Sequence, residues 1–528
     1  MQRFNHPHLI YFFLIILLVV GSLLVRDFGI SWDEDAQIAI GQKSYDYLTK
    51  GDKSLFTFCD RDYGVGFELP VYAFQQLFKD PKSMYYFRHA CVHLFFLLGV
   101  FFFYKSLLLL FRSQKNRYAL ALLGVLFLIF SPRIYAESFY NSKDIVLLSA
   151  SCLYFYALLR CIQKPDWKAT LVFAMATAYL IDIRIVGILH FAMAFVWFMY
   201  RIITASDQRK NWIRMGVIFS VGTPLILYLI WPYLYENPFE RFWNAYRSMK
   251  QFRWNFDVVF MGEVMLSSKI PWYYSLGWIA VTTPVLYLVL GGVGILTSFV
   301  KAVRSKLQDA PSLNALTALG LFAGPLLATI LFHSVLYDGW RQLYFVYPFF
   351  LVLAVYGFYQ LGQLAPLVFQ RWLAWITATQ FIMVIWFIVQ HHPFQMVYFN
   401  ELPAKGRQEL LMNYDRDYWG LSYRQAYEQL NRLLDVRKQD TVRVVVQNIP
   451  GRFNALFASD HLKSKLKIYQ ASEVPEAEQN MMQYFITNFR KEPKTALKRC
   501  TQKLWHAEVQ GSDVIAIYQL KGQEDCYE

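Results

Sequence analysis

Long apolar runs separated by short polar stretches fill the first 390 positions of the chain. Runs such as LIYFFLIILLVV at 9–20 and LFFLLGVFFFYKSLLLLF at 94–111 would, as helices, cross a hydrocarbon layer about 30 Å thick. Eleven spans are predicted, at 9–25, 88–111, 118–134, 144–162, 169–183, 186–203, 213–231, 274–300, 313–333, 343–360 and 372–390. Beyond residue 424 the periodicity changes. RQAYEQLNRLLD at 424–435 has helical spacing, and VRVVVQN at 442–448, YFITNF at 484–489 and VIAIYQL at 514–520 read as strands. The pattern predicts a polytopic α-helical membrane protein, with a membrane domain over 1–390, a juxtamembrane linker over 391–423 and a small soluble α/β domain over 424–528.

Composition agrees: of 528 residues 56% are hydrophobic, 18% aromatic and only 17% charged, which excludes disorder and a single soluble core. The net charge of +14 does not mark a nucleic-acid binder, because Lys and Arg fall in small clusters between apolar runs instead of along one basic face. With a cytoplasmic N-terminus, the inner connections carry Arg112, Lys115 and Arg117; Arg160, Lys164 and Lys168; Arg201, Arg209, Lys210 and Arg214; Lys301, Arg304 and Lys306; and Arg371. This is the positive-inside bias. The first run lacks a small-residue cleavage site and is expected to be a retained anchor.

The longer polar segments, 26–87, 232–273 and everything after His391, then fall on the outer side. Within 26–87, LPVYAFQQLF at 69–78 is either an interfacial helix or part of a plain outer loop. Six cysteines are too few for a disulfide scaffold. Cys91, Cys152 and Cys161 lie in or beside apolar runs and act as small apolar residues, while Cys500 and Cys526 either pair outside the membrane or stay as thiols. No repeat, Walker A loop or dinucleotide fingerprint occurs.

Ionisable residues at the outer ends of spans carry the candidate chemistry, since burying them costs several kcal/mol unless they are paired or solvated. Asp33-Glu34-Asp35 follows the first span; one of the three can serve as a base, or Asp33 can cap the helix AQIAIGQKSYDYL. In SPRIYAESFYNSKD at 131–144, a helical reading puts Glu137, Asn141 and Asp144 on one face. Lys143 then points elsewhere, toward lipid phosphates. Asp182 and Arg184 interrupt IDIRIVGI and need each other or a ligand, and Arg184 suits phosphate oxygens. Asp338 and Arg341 sit in an outer turn beside an expected aromatic belt of Trp340, Tyr344 and Tyr347, with Arg341 a second phosphate candidate. Carboxylates and guanidiniums at headgroup depth match a polyprenyl-phosphate sugar. A polyprenyl-linked glycan flippase is the alternative, although the outer acidic loop and outer domain favour an enzyme.

The order of these motifs, from Trp32-Asp33-Glu34 through SPRIYAESFYNSKD and Arg184 to Arg341, resembles the glycosyltransferase-C superfamily, in the branch of protein O-mannosyltransferases and the lipid A aminoarabinose transferase. HHPFQMVYFNELPAKGR at 391–407 and MNYDRDYWGLSYRQA at 412–426 are similar to a segment of bacterial members, and are expected either to fold back onto the site or to pack on the membrane surface. The resemblance implies inverting transfer of a monosaccharide from a polyprenyl-phosphate carrier to a hydroxyl of a lipid, glycan or protein acceptor. It implies Asp33 as base beside Glu34; the residues themselves add Arg184 and Arg341 at the donor phosphate, with Glu137, Asn141 and Asp144 orienting the sugar or holding the arginines in place. Some members use a divalent cation, and Glu34, Glu137 and Asp144 are the candidate ligands. The expected location is a bacterial inner membrane with the N-terminus cytoplasmic and the C-terminal domain periplasmic; an endoplasmic reticulum enzyme with a lumenal site is the other option.

Overall fold

A computed structural model describes residues 8–250, 255–304, 310–364, 366–403, 409–434, 440–490, 500 and 502–520. Lys306 and Cys526, both singled out above, lie outside these residues. The membrane part runs α1 (Leu9–Leu24), α2 (Glu34–Lys50), α3 (Glu68–Gln75), α4 (Pro81–Leu110), α5 (Arg117–Ile129), α6 (Pro132–Glu137), α7 (Asp144–Gln163), α8 (Trp167–Ile183), α9 (Ile188–Thr204), α10 (Arg209–Ile230), α11 (Pro238–Lys250), α12 (Tyr274–Thr282), α13 (Val285–Arg304), α14 (Ala310–Leu331), α15 (Tyr347–Leu364) and α16 (Leu367–Gln390). By length and composition, eight helical stretches among the described residues are long and apolar enough to cross a membrane, and α1 and α5 are apolar but shorter.

Departures from the predicted spans have local causes. The stretch 274–300 is two helices because Pro284 follows Thr283, whose backbone is extended (φ −99°, ψ 136°), as a residue before proline prefers. The connection 131–144 contains its own short helix, α6, started by Pro132 at its first position. The apolar stretch at 69–78 begins as α3 and leaves Phe74, Leu77 and Phe78 exposed.

The α13–α15 crossing fixes the region that enters the site. A Cβ on Gly294 would lie 1.9 Å from the Leu353 carbonyl oxygen, and one on Gly357 2.0 Å from that of Leu290. The two backbones therefore touch directly, as small residues permit in membrane helix pairs. A 3₁₀ turn over Arg341–Val346 leads straight into α15.

After α16 come α17 (Glu409–Asn413) and α18 (Tyr423–Leu433), then a five-stranded sheet. Its strands are β3 (Val442–Val446), β4 (Leu466–Gln470), β5 (Tyr484–Thr487), β6 (Lys503–Val509) and β7 (Ser512–Gln519), in the order β4-β3-β5-β7-β6. Strand β3 is parallel to β4 and β5, while β7 is antiparallel to β5 and β6. Strands β1 (Asp257–Phe260) and β2 (Glu263–Leu266) form a separate hairpin. The helix at 424–435 and the three predicted strands correspond to α18, β3, β5 and β7. Sequence reasoning missed β4 and β6, LKIYQ and KLWHAEV, whose Lys, His and Glu residues dilute the apolar signal.

The sheet unit is fastened to the membrane unit. Asn454 Oδ1 accepts from the Ile30 amide at 2.9 Å, and its Nδ2 donates to the Ile30 carbonyl at 2.8 Å. Gln510 makes the same two-way pairing with Phe399, at 3.0 and 2.6 Å. Cys500 is disulfide-bonded.

Candidate active site

The three acids after α1 point three ways. Glu34 is buried; one oxygen accepts from the Ser31 amide at 2.6 Å and the other meets His89 Nε2 at 2.9 Å. His89 Nδ1 in turn lies 3.3 Å from the Val25 carbonyl, so Glu34 ties the loop to α1 and α4. Asp35 accepts from the Tyr85 hydroxyl at 2.5 Å, and burial pushes its carboxyl up from the ordinary range. Asp33 faces the opposite way. Its side chain makes no cap bond to α2, so the helix-cap alternative is set aside. Instead Oδ2 meets Arg341 Nη1 at 3.2 Å and Lys143 Nζ at 3.8 Å. Oδ1 has no hydrogen bond among the described residues, on a side chain 22% exposed.

Glu137, Asn141 and Asp144 converge, but not along one helical face. Helix α6 ends at Glu137 and α7 begins at Asp144, and the turn between them folds Asn141 inward. Its Oδ1 accepts from the Asp144 amide at 2.8 Å, capping α7, while its Nδ2 donates to Glu137 at 2.7 Å and Asp144 at 3.3 Å. Glu137 also accepts from the hydroxyls of Tyr344 and Tyr418, each at 2.8 Å. Burial pushes its carboxyl up to about 7 against these hydrogen bonds.

Asp144 takes Arg184 on one oxygen and Arg341 Nη1, at 3.0 Å, on the other. Arg341 Nη2 is held by Asp338 at 3.2 Å, and its guanidinium lies 4.4 Å from the centre of the Trp419 ring. Side-chain exposure is 3% for Arg341, 14% for Arg184 and 10% for Lys143. The two rim cations are thus the ones a ligand reaches first, while Arg341 is taken up by Asp33, Asp144 and Asp338. Contrary to the expectation that it points away from the cluster toward phosphates of the surrounding bilayer, Lys143 turns in over the Tyr63 ring at 4.2 Å, beside Asp33.

Asp182 and Arg184 do not pair with each other among the described contacts. Asp182 accepts the amides of Val65 and Gly66, at 3.3 and 2.6 Å, pinning the outer loop against α8. The approach is so close that a Cβ on Gly64 would fall 1.7 Å from the Asp182 carbonyl oxygen. Gly64→Ala should therefore lift this loop and cost roughly 1–3 kcal/mol or more, the range of overpacking, read as a lower melting temperature in detergent; an unchanged one would remove the loop's anchoring role.

The expected aromatic belt is interior. Trp340, Tyr344 and Tyr347 are buried, and their polar atoms bond Thr282, Glu137 and Ser131. The segment after α17 folds back onto the site, the first of its two expected courses, and brings Tyr418 and Trp419 there, while two contributors escaped the sequence reading: Lys143 as a partner of Asp33, and Arg490 from the end of β5. Arg490 donates to Asp338 at 2.7 Å and to the Tyr418 carbonyl at 2.8 Å. The two aromatics were quoted in YDRDYWG, but nothing in spacing distinguishes Arg490 from a surface arginine.

Charge sets the state of Asp33. Burial alone would raise its carboxyl, but Arg341, Lys143, Arg184 and Arg490 outweigh that and hold it below its ordinary value of 3.8. Glu137 behaves oppositely, and its stability sign follows. Its folded pKa of about 7 exceeds the unfolded 4.5, so the folded protein binds the proton more tightly. Raising pH from about 4.5 to about 7 should erode stability, by up to ~1.4 kcal/mol per pH unit. In Glu137→Gln that part of the slope should vanish from melts recorded across the window.

Glu34, Glu137 and Asp144 do not form the expected cation set: their oxygens are engaged by Ser31 and His89, by Asn141 and two tyrosines, and by two arginines. Among the described residues the one group of side chains spaced to share an ion is His506, Glu508 and Asp513, on β6 and β7, where Lys503 Nζ already occupies Asp513 at 2.6 Å.

No family model and no curated protein matches the chain. By shape it is similar to ArnT from Cupriavidus metallidurans in the apo state (15% identity, TM-score 0.46, covering 96% of this chain and 98% of that one). The undecaprenyl-phosphate-bound form of ArnT gives 14% identity and a TM-score of 0.47 over 97% and 98%. The arabinofuranosyltransferase AftD from mycobacteria gives 10% and 0.41 over 96% of this chain and 41% of that one. These are likenesses of chain path at low identity, and the chemistry is read from the side chains.

Proposed function

We propose that this chain is a membrane glycosyltransferase that moves a monosaccharide from a polyprenyl-phosphate carrier to an acceptor hydroxyl with inversion. One observation carries the reading: Asp33 is an ionised carboxylate with Oδ2 fixed by Arg341 and Oδ1 unbonded, at the open edge of a cation cluster that ends in Arg184 and Lys143. Such a group accepts a proton without moving.

In this reading the acceptor O–H gives its proton to Asp33 as its oxygen bonds to the anomeric carbon. The bond from that carbon to the phosphate oxygen breaks on the opposite face, and the lipid phosphate leaves with the electron pair. A phosphate is a stable leaving anion, so no acid is needed. Arg184 and Lys143 meet the added charge, each worth a few kcal/mol where water is excluded. Arg341 orients Asp33, and Glu137 and Asn141 hold Asp144 against both arginines. The position of the cluster at the outer ends of the helices and the inner-loop basic residues support a site on the non-cytoplasmic side, which we read as the periplasmic face of a bacterial inner membrane. The acceptor is a hydroxyl on a lipid, glycan or protein.

The test is incubation of the purified protein with a panel of radiolabelled polyprenyl-phosphate monosaccharides. Transfer, or slow hydrolysis to free polyprenyl phosphate, is the expected result for at least one sugar. A folded protein that turns over none of them, but moves labelled lipid between leaflets of a vesicle, would replace this reading with the flippase.

A further inference from the structure

The contacts of Arg490 form a closed circuit. Its guanidinium lies 4.6 Å from the centre of the Trp32 ring, next in sequence to Asp33. Nη2 donates to Asp338 Oδ1 at 2.7 Å. The other oxygen of Asp338 holds Arg341 Nη2 at 3.2 Å, and Arg341 Nη1 reaches Asp33. Nη1 of Arg490 donates to the Tyr418 carbonyl, and the Trp32 amide donates to the Trp419 carbonyl at 3.0 Å. The circuit joins the first outer loop, the turn before α15, the segment after α17 and the end of β5.

Two backbone features aim these groups. Asp338 has φ +55° and Phe489 has φ +58°, a region that side-chain-bearing residues seldom adopt. One orients the carboxylate between two arginines; the other turns the chain at the end of β5 so that Arg490 faces the membrane unit. Arg490 and Asp338 are buried, and among the described contacts neither bonds directly to Asp33, Arg184 or Lys143.

We infer that Arg490 is a positioning residue of the active site: by clamping Asp338 and Trp32 it fixes Arg341 and the carboxylate of Asp33, so the C-terminal unit takes part in the reaction. The inference rests on the reading of Asp33 as base and assigns the outer sheet a catalytic duty. Arg490 adds its charge to those of Arg341, Lys143 and Arg184 around Asp33, with Tyr337 alongside. Removing it should raise the Asp33 carboxyl and move the acidic limb of the rate profile to higher pH.

The experiment uses the full chain in nanodiscs, with the polyprenyl-phosphate sugar found by the panel as probe. Arg490→Met should lower kcat by about 10²-fold, the scale of a misplaced reacting group, with the KM for donor within about twofold of wild type and the acidic limb shifted upward. Asp338→Asn should match it in kcat but without the upward shift of the acidic limb, since it removes a negative charge and not a positive one, and the kcat of the double variant should be no worse than that of either single one, since the two act as a unit. Arg490→Lys, which keeps the charge, should leave the acidic limb in place while recovering only part of kcat; it also serves if Arg490→Met does not fold. A wild-type kcat and pH profile in Arg490→Met, or losses in Arg490→Met and Asp338→Asn that multiply in the double variant, would overturn this inference alone. An Asp33→Asn protein that still turns over normally would overturn the base assignment and the inference with it.

Discussion

Asp33→Asn should lower kcat by about 10² to 10⁴-fold, the contribution of a positioned general base, with donor binding nearly intact. Asparagine keeps an oxygen for Arg341 but cannot take the acceptor's proton. The carboxyl is held below its ordinary value, so its charge also adds stability, present above the ordinary carboxylate range and lost as pH falls through the folded pKa. The signature is thus a modest drop in melting temperature beside a collapse in rate. Single-turnover measurements and melts on the same preparation separate the two, and a rate within a few-fold of wild type would strip Asp33 of its role.

Arg341→Met should have the largest effect on stability. It leaves Asp33, Asp144 and Asp338 without the cation they share, and removing one partner of a buried ion network typically costs about 3–5 kcal/mol. Loss of all turnover and a much lower melting temperature are expected together. Arg341→Lys should recover little, because a single ammonium cannot bridge what the planar fork bridges through two nitrogens. If Arg341→Met melts as wild type does, the carboxylates have other partners and the network drawn here is incorrect.

Much of the membrane architecture was legible because apolar length is a strong signal; the break at Thr283-Pro284 was written in the sequence as a proline but overrun by apolar neighbours. Asp33, Asp144, Arg184 and Arg341 were legible as charges where the membrane makes charge costly. Their partners were not. Helical spacing brought Glu137, Asn141 and Asp144 together for the wrong reason, since a turn does it, and the adjacency of Asp182 and Arg184 suggested a pair where each serves a distant segment. Arg490 was invisible because tertiary packing alone brings the end of β5 to Asp338.

The clasp of Asn454 on Ile30 joins positions 424 residues apart. At synthesis rates of about 5–20 residues per second, roughly 20 s to over a minute separates the emergence of the two halves. Over that interval the Ile30 amide and carbonyl remain hydrated, and the carboxylate beyond them has only its membrane-borne partners. The contacts that Asn454 and Arg490 make with the first outer loop and with Asp338 thus form only after the C-terminal unit has been made.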